Sequence, residues 1–550
     1  MANMNPETQA LEQANKKLPI STWAYHLIDK QGKETDFNHG LKHLPKSEVW
    51  AARAIARMFK NYLTYDKNLE QWYFWNGVVH MPCTGDGLVI KIIKDYYDAT
   101  VAAIQILETI IKIEDSEKIR KDMNFKLKDY KWFRDSLSKT SGYKSLVANL
   151  KTEVDVQDNH YDQDKDYIVF SDGQVIDLST PGFDLEAPDP KRPVTKHLAV
   201  ALKDGDTLEN KKPVRWLQSL AEWLPGLEDE HEYLQTCAGA ALMGQGKAKN
   251  IPTLVGISNT GKSTYLRTLE KVFGHYAGSL PAGAIVLKQG TNFDQFKARG
   301  KRFLYLEEPY ESKTDDSFFK NLAGGGGLVS TQEKNKNAIE WRAQCVLHIG
   351  ANHVPKIQTK DDAIVNRVNI IKFNHVFVPG AEGTVDSLED ELFNTEGVGI
   401  LLWILEGAKR YRDQGAIIVP DSVRARGLDN ANSDSLPITW LLEVLECGCF
   451  HMNEDGPANT WVEPKDAYAS FSNWMEKQNE KHSISTIKWK KEINRYLCTP
   501  EDKINAKSDG KRYIWKVTKS AKTGTWCEHA LDADKFAANG YIKVPVGNSN

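Results

Sequence analysis

The chain has 550 residues, 41% of them apolar and 26% charged. That composition excludes a disordered chain and a fibre, and seven cysteines over this length exclude a disulfide scaffold and fit a reducing compartment. The formal net charge of −3 excludes a protein that coats nucleic acid with its whole surface. It does hide a basic segment: residues 481–517 hold ten Lys/Arg against four acids, a local +6 that leaves −9 elsewhere.

In chain order, the first 45 residues are polar and read as a loose leader without the apolar run of a secretory signal. From Ser47 a helical pattern begins (SEVWAARAIARMFKNYL), then a strand-like run, Gln71–Val79, and helical stretches over Gly87–Ile113 and Asp115–Leu137. Residues Asp155–Asp166 form an acidic break that includes His160. Without a strand-borne carboxylate pair beside it, this break reads as a solvated turn and priming activity is not expected. Tyr167–Leu178 predicts a hairpin around Asp172-Gly173, and four prolines in 181–193 mark a linker. Helical periodicity returns over Val214–Met243. Asn250–Phe373 alternates apolar runs with Gly-rich turns, an α/β signature, and Asp390–Arg410 is helical. Gly397–Leu405, the most apolar stretch, is too short for a bilayer, which takes about 20 residues. A soluble, cytoplasmic protein is expected.

The sharpest motif is Gly256-Ile257-Ser258-Asn259-Thr260-Gly261-Lys262-Ser263, preceded by the apolar run Ile251–Val255 and followed by a helical one. Strand, loop and helix in this order make a phosphate loop. Backbone N–H groups of the Gly-rich turn face phosphate at a helix N-terminus. The expected ATP-binding residues are Gly256, Ser258, Asn259, Thr260, Gly261, Lys262, Ser263 and Thr264. Lys262 places a charge on the β/γ-phosphates and the Ser263 hydroxyl ligates Mg²⁺. A second apolar strand ends in Glu307-Glu308. Glu307 is expected to hold Mg²⁺ and Glu308 to orient the attacking water. A third strand, Cys345–Gly350, leads to Asn352, whose amide can contact the γ-phosphate. Arg367, about 105 residues after Lys262, is a candidate arginine finger acting across a subunit interface.

These residues resemble superfamily 3 helicases, and most closely the helicase half of phage, plasmid and poxvirus primase-helicases. The resemblance covers about residues 160–380, through SDGQVIDLSTPGF (171–183), the segment 236–264, FDQFKARGKRFLYLEE (293–308), FFKNLAGGG (318–326), IGANHVPKI (349–357) and NRVNIIKF (366–373). The chain departs from the family at Gly324–Gly327, where an acid usually follows paired glycines, at Glu307, where Asp is common, and at Asn366, often an arginine. The resemblance implies hexameric rings moving along single-stranded DNA by ATP hydrolysis. It also implies a DNA-gripping hairpin, here Thr331–Trp341, with Lys334 and Lys336 at its tip.

In the tail, Ala467–Gln478 and Ser485–Leu497 read as helices and Ile504–Val517 as a hairpin around Asp509-Gly510, an order that fits a winged helix. Lys488, Lys490, Lys491 and Arg495 on the second helix, with Lys511 and Arg512 on the hairpin, are its candidate DNA contacts. Cys447, Cys449 and His451, with Cys527 and His529 downstream, have spacings tighter than zinc ligands usually keep, so no zinc site is expected.

The expected organisation is a polar leader (1–45), an N-terminal helical and mixed domain (46–205), a helical collar (206–249), an AAA+-like P-loop ATPase core (250–380), a helical connector (381–430) and a winged-helix DNA-binding domain (431–550). The expected function is an ATP- and Mg²⁺-dependent replicative DNA helicase of a phage, plasmid or satellite element. Its partners would be single-stranded DNA, forked or origin duplex DNA, its own copies in a homo-hexamer, and a separate primase or polymerase. The alternative is an ATP-dependent origin-binding initiator without processive unwinding. A P-loop kinase would need a lid with catalytic arginines, which nothing in the sequence marks.

Overall fold

The computed structural model describes residues 47–156, 160–180, 184–244, 249–325, 327–355, 367–378, 387–433, 435–446, 450–452, 464–477, 484–497 and 517–519. They fall into two compact units, divided after Pro420. Among the described residues no helix is long and apolar enough to cross a membrane.

The first unit opens with α1 (Glu48–Met58), started by Ser47, whose hydroxyl accepts from the Trp50 N–H. Strands β1 (Leu63–Asp66), β2 (Gln71–Trp75) and β3 (His80–Cys83) form an antiparallel meander. Three helices follow: α2 (Gly87–Ile113), α3 (Glu117–Leu137), capped by Ser116, and α4 (Thr140–Glu153). They share one core with α1, β1 and β2, built on Ile55, Trp72, Ile93, Tyr96, Tyr130, Phe133 and Leu146. The sequence reading assigned no element to α4. The hairpin of β4 (Tyr167–Val169) and β5 (Val175–Asp177) turns at Gly173, whose φ of +93° suits glycine.

Helices α5 (Val214–Trp223) and α6 (Glu228–Leu242) lead into a five-stranded parallel sheet. Its members are β6 (Ile251–Val255), β7 (Ala277–Leu280) and β8 (Phe303–Glu307), then β11 (Val346–Ala351) and β12 (Val368–Lys372). Their spatial order is β12-β6-β11-β8-β7. Helix α7 (Lys262–Phe273) follows β6 directly, and the short α8 (Asp316–Lys320) follows β8. Strands β9 (Leu328–Gln332) and β10 (Ala338–Arg342) form a separate antiparallel hairpin. The near-continuous apolar burial of β6, β8 and β11 is what a parallel sheet covered on both faces requires.

Helix α9 (Leu388–Gln414) packs on α6 and α7. At α6 the two backbones nearly touch. A Cβ on Gly239 would lie 2.0 Å from the Ala408 nitrogen, and one on Gly407 2.0 Å from the Gln235 carbonyl oxygen. Gln235 then donates to the Trp403 carbonyl at 2.9 Å and accepts from Arg410 at 2.6 Å.

The second unit holds α10 (Asp421–Ser433), α11 (Leu436–Glu446), α12 (Pro464–Lys477) and α13 (Thr486–Leu497), with β13 (Phe450–Met452) paired antiparallel to β14 (Val517–Lys519). Trp440, Phe471, Trp474, Trp489 and Ile493 form its core. The two helices read from the sequence are α12 and α13. The expected hairpin lies outside the described residues up to Val517, which begins β14, so Lys511 and Arg512 lie outside them too.

Backbone contact between α6 and α9 gives a direct test. Gly407→Ala forces the helices apart and is expected to cost about 1–3 kcal/mol, the usual range for overpacking. The readout is the thermal melting temperature, which should fall; an unchanged value would contradict the packing described.

Candidate phosphate-binding site

The site is built at the carboxyl end of three strands. β11 pairs in parallel with β6 on one side and β8 on the other, so their last residues come out side by side. β6 delivers the loop 256–261, β8 delivers Glu307 and Glu308, and β11 delivers Asn352.

Two glycines in the loop are sterically required. A Cβ on Gly256 would lie 2.2 Å from the Phe373 carbonyl oxygen, and one on Gly261, at φ +90°, 2.2 Å from Trp223 Nε1. Asn259 also holds a left-handed backbone, φ +63°, fixed as its carbonyl accepts from the Phe377 N–H at 2.8 Å. Beneath the loop, Trp216 stacks on Tyr265 at 5.6 Å and meets Trp223 edge-on at 5.8 Å, while Trp223 lies 6.0 Å from Phe373. These aromatics seat the start of α7.

Lys262 is 7% exposed. Its ammonium donates to the Gly256 and Ile257 carbonyls at 2.5 and 2.8 Å, to Thr260 Oγ1 at 3.3 Å and to Asn352 Oδ1 at 3.5 Å. Burial pushes its pKa below the ordinary lysine value, and Glu308 and Glu307 pull it back. Next to it, Ser263 Oγ donates to Glu307 Oε1 at 2.5 Å. Glu308 departs from strand geometry, at φ +46°, with its N–H on the Gly350 carbonyl at 2.8 Å. Its carboxylate accepts from the Asn352 N–H at 2.9 Å. Lys262, Ser263, Glu307, Glu308 and Asn352, separated by up to 90 residues, thus form one connected constellation. Ser258 and Thr264 flank it in the loop and in the first turn of α7.

Sequence reasoning missed two members. Trp223 fixes the loop from below, but nothing local in α5 signals it. Arg267, one turn into α7, comes within 3.9 Å of Glu307 and 3.8 Å of Glu389. Its spacing after Ser263 on one helical face could have indicated it.

Arg367 sits elsewhere. It immediately precedes β12, and its carbonyl accepts from the Ile251 N–H at 2.8 Å, at the amino end of the sheet. A five-residue strand separates that end from the phosphate loop, about 16 Å at the usual rise. The side chain is 8% exposed and donates to the Lys320 carbonyl at 3.0 Å. Lys334 and Lys336 lie in the turn of the β9–β10 hairpin, where Asn335 takes φ +65°. Lys334 is exposed, whereas Lys336 donates to the Leu69 carbonyl at 2.9 Å and pairs with Glu333 at 3.5 Å.

In the second unit, Lys488 and Lys491 are exposed and Lys490 half-buried on α13, opposite the buried Trp489 and Ile493. Lys488 pairs with Glu492 at 3.7 Å. Arg495 belongs to α13, but its side chain lies outside the described ones. Of the cysteines and histidines weighed against zinc-ligand spacing, Cys447, Cys449, Cys527 and His529 lie outside the described residues, as does the side chain of His451.

Residues 52–225, from α1 to the end of α5, match the family described as D5 N terminal like, and residues 254–367 match a family of unknown function, DUF5906. Among curated proteins, "Putative helicase 184R" of Invertebrate iridescent virus 6 is 27% identical over 233 residues, 41% of this chain and 24% of that protein. The resemblance to superfamily 3 helicases of the primase-helicase type holds. "Putative helicase V13" of Sputnik virophage is 25% identical over 199 residues, 33% of this chain and 25% of that protein. The chain thus spans about a quarter of the length of these curated relatives. The solved NrS-1 C terminal region is 11% identical, with a TM-score of 0.43 over 82% of this chain and 86% of that one.

The seat of the loop is testable by comparing two glycines with the same backbone. Gly261 and Gly290 both hold φ +90°, but a Cβ on Gly290 meets nothing within 4 Å. Gly290→Ala is expected to cost about 1–2 kcal/mol, from the left-handed backbone alone. Gly261→Ala adds the clash with Trp223 and should cost about 1–3 kcal/mol more. Equal losses in chemical denaturation would contradict the seat.

Proposed function

We propose that the chain is an ATP-driven DNA helicase of a viral or related mobile replicon that moves on single-stranded DNA as a ring, a homo-hexamer by resemblance. The observation that carries this reading is the convergence of Lys262, Ser263, Glu307, Glu308 and Asn352 at one sheet edge. A cation at a helix N-terminus, a hydroxyl touching a carboxylate, a second carboxylate and an amide together meet the needs of triphosphate hydrolysis.

The residues present fit ATP with magnesium. Gly256 and Gly261 let the loop seat closely on Phe373 and Trp223, and the Ser263 hydroxyl against the Glu307 carboxylate is a hard-oxygen donor pair of the kind Mg²⁺ takes. When bound, the metal would neutralise charge on the β- and γ-phosphates. Lys262 exchanges its loop carbonyls for phosphate oxygens. Glu308, held by the Asn352 N–H, orients the attacking water and takes its proton. The Asn352 amide, already at Lys262, couples the third phosphate to β11. Arg367 lies a strand length from its own loop, so a finger role requires the site of a neighbouring copy. Lys334 and Lys336 would grip the strand, with Lys336 leaving the Leu69 carbonyl. Helix α13, with Lys488, Lys490, Lys491 and Arg495, would serve a winged helix that contacts forked or origin duplex, together with Lys511 and Arg512. A separate primase or polymerase would complete the replication machinery.

ATPase assays with and without single-stranded DNA test this. Lys262→Ala should abolish stimulated hydrolysis, and Glu308→Gln should lower kcat by about 10²–10⁴ with ATP binding retained. Arg367→Ala should lower kcat by about 10³ or more, and should poison wild-type protein when the two are mixed. Full stimulated activity in Lys262→Ala would overturn the reading.

A further inference from the structure

A cavity of about 480 Å³ lies where the two family-matched stretches meet. That volume falls within the range of about 300–1,000 Å³ usual for small-molecule sites. The first stretch supplies Tyr73 and Tyr161, and the second supplies Phe296, Arg299 and Gln344. Arg299 shortly precedes β8 and Gln344 precedes β11, so the cavity lies at the amino end of the sheet. The phosphate loop, Glu307 and Asn352 are at the opposite edge, and none of them lines it.

Its side chains are of three kinds. The Tyr73 and Tyr161 rings, with centroids 4.4 Å apart, make a flat apolar wall. The carboxylates are already satisfied. Asp66 accepts from the Asn68 and Leu69 N–H groups at 3.0 Å, and Asp162 from Lys196 and from the Thr195 N–H and hydroxyl at 2.9 and 2.5 Å. The remaining polar groups are unmet. The Arg299 guanidinium lies 6.0 Å from the centre of the Phe296 ring and has no ion-pair partner among the described residues. Tyr73 is 8% exposed, yet its hydroxyl has no hydrogen-bond partner among them, and neither does the Gln344 amide. Burial pushes the Tyr73 pKa up to about 12, against the pull of Arg299. The hydroxyl therefore stays a donor at neutral pH.

An aromatic wall, an uncompensated guanidinium and an unmet amide suit a ligand that is flat, anionic and rich in hydrogen-bonding edges. A divalent cation finds no carboxylate to spare, and among the described residues no group of three ligating side chains could hold one. Inorganic phosphate would leave the wall against water. An acidic peptide would meet Arg299 but offer the tyrosines no flat face.

We infer that this cavity binds a nucleoside 5′-phosphate, with the base against Tyr73 and Tyr161, its edge on Gln344, and the phosphate on Arg299. A free nucleotide and one unit of a single strand present the same chemistry. Leu328 and Arg342, opposed across the β9–β10 hairpin, also line the cavity, so the bound nucleotide rests on the base of that hairpin.

The test is isothermal titration calorimetry of the full chain with AMP, thymidine 5′-monophosphate and 5′-phosphorylated tetrathymidylate. Arg299→Gln should weaken binding about tenfold or more, and Arg299→Lys should recover part of the loss. Tyr73→Phe keeps the ring and should cost about twofold to tenfold, which decides the matter should Arg299→Gln prove unstable. The same losses are expected in a Lys262→Ala background, where the phosphate loop no longer contributes. The result therefore stands whether or not that loop drives hydrolysis. Arg299-dependent binding of the monophosphates would support the proposal and assign the cavity to free nucleotide. Arg299-dependent binding of the tetrathymidylate alone would support it and assign the cavity to a strand. No binding of any of the three, affinity unchanged by Arg299→Gln, or inorganic phosphate bound as tightly as the nucleotides would overturn it.

Discussion

The whole candidate site depends on β11 lying between β6 and β8, parallel to both. Parallel pairing brings like ends together, so three segments distant in sequence release their loops at one edge. Residue chemistry alone does not make this site. Lys262 touches Asn352, Ser263 touches Glu307, and Glu308 receives the Asn352 N–H because of that strand order. A one-residue slip of β11 would turn every side chain on it to the opposite face and withdraw Asn352 from the edge.

A second constraint ties the loop to the region before it. Gly261 stands against Trp223, the last aromatic ring of the D5-like stretch, and no β-carbon fits between them. The contact is reinforced by Trp216 on Tyr265 and by Arg302, which donates to the Lys165 carbonyl at 2.6 Å. At the hairpin, Lys336 reaches the Leu69 carbonyl. The two family-matched stretches are therefore not beads on a string; the N-terminal one supplies the floor of the phosphate loop and a rest for the hairpin tip.

What the sequence made legible was local. The strand–loop–helix around Gly256–Ser263 declares itself because its glycines, lysine and flanking apolar runs are contiguous. Helices α2, α5, α6 and α9 were visible from periodicity, and the β4–β5 hairpin from Asp172-Gly173. Helix α4 was not, because TSGYKSLVANLKTE has a weak apolar face and a lysine where a capping residue would stand. Nor was the aromatic seat, since Trp216, Trp223, Phe373 and Trp403 meet only through tertiary packing. Strand ends could be expected to carry Glu307, Glu308 and Asn352, but the strand order that joins them is not written in any one segment. Arg367 shows the converse. Its place after Lys262 was legible, while its burial against Lys320 and its position at the amino end of the sheet were not.

If the constellation at the sheet edge drives strand separation, as proposed, unwinding must depend on ATP hydrolysis. Strand displacement on 3′- and 5′-tailed forks, with ATP and with a non-hydrolysable analogue, tests it most directly. Displacement is expected on one tail polarity with ATP, and none with the analogue. ATP-dependent binding to the same forks without displacement on either would contradict it, and would mark the chain as a nucleotide-controlled binder of origin DNA.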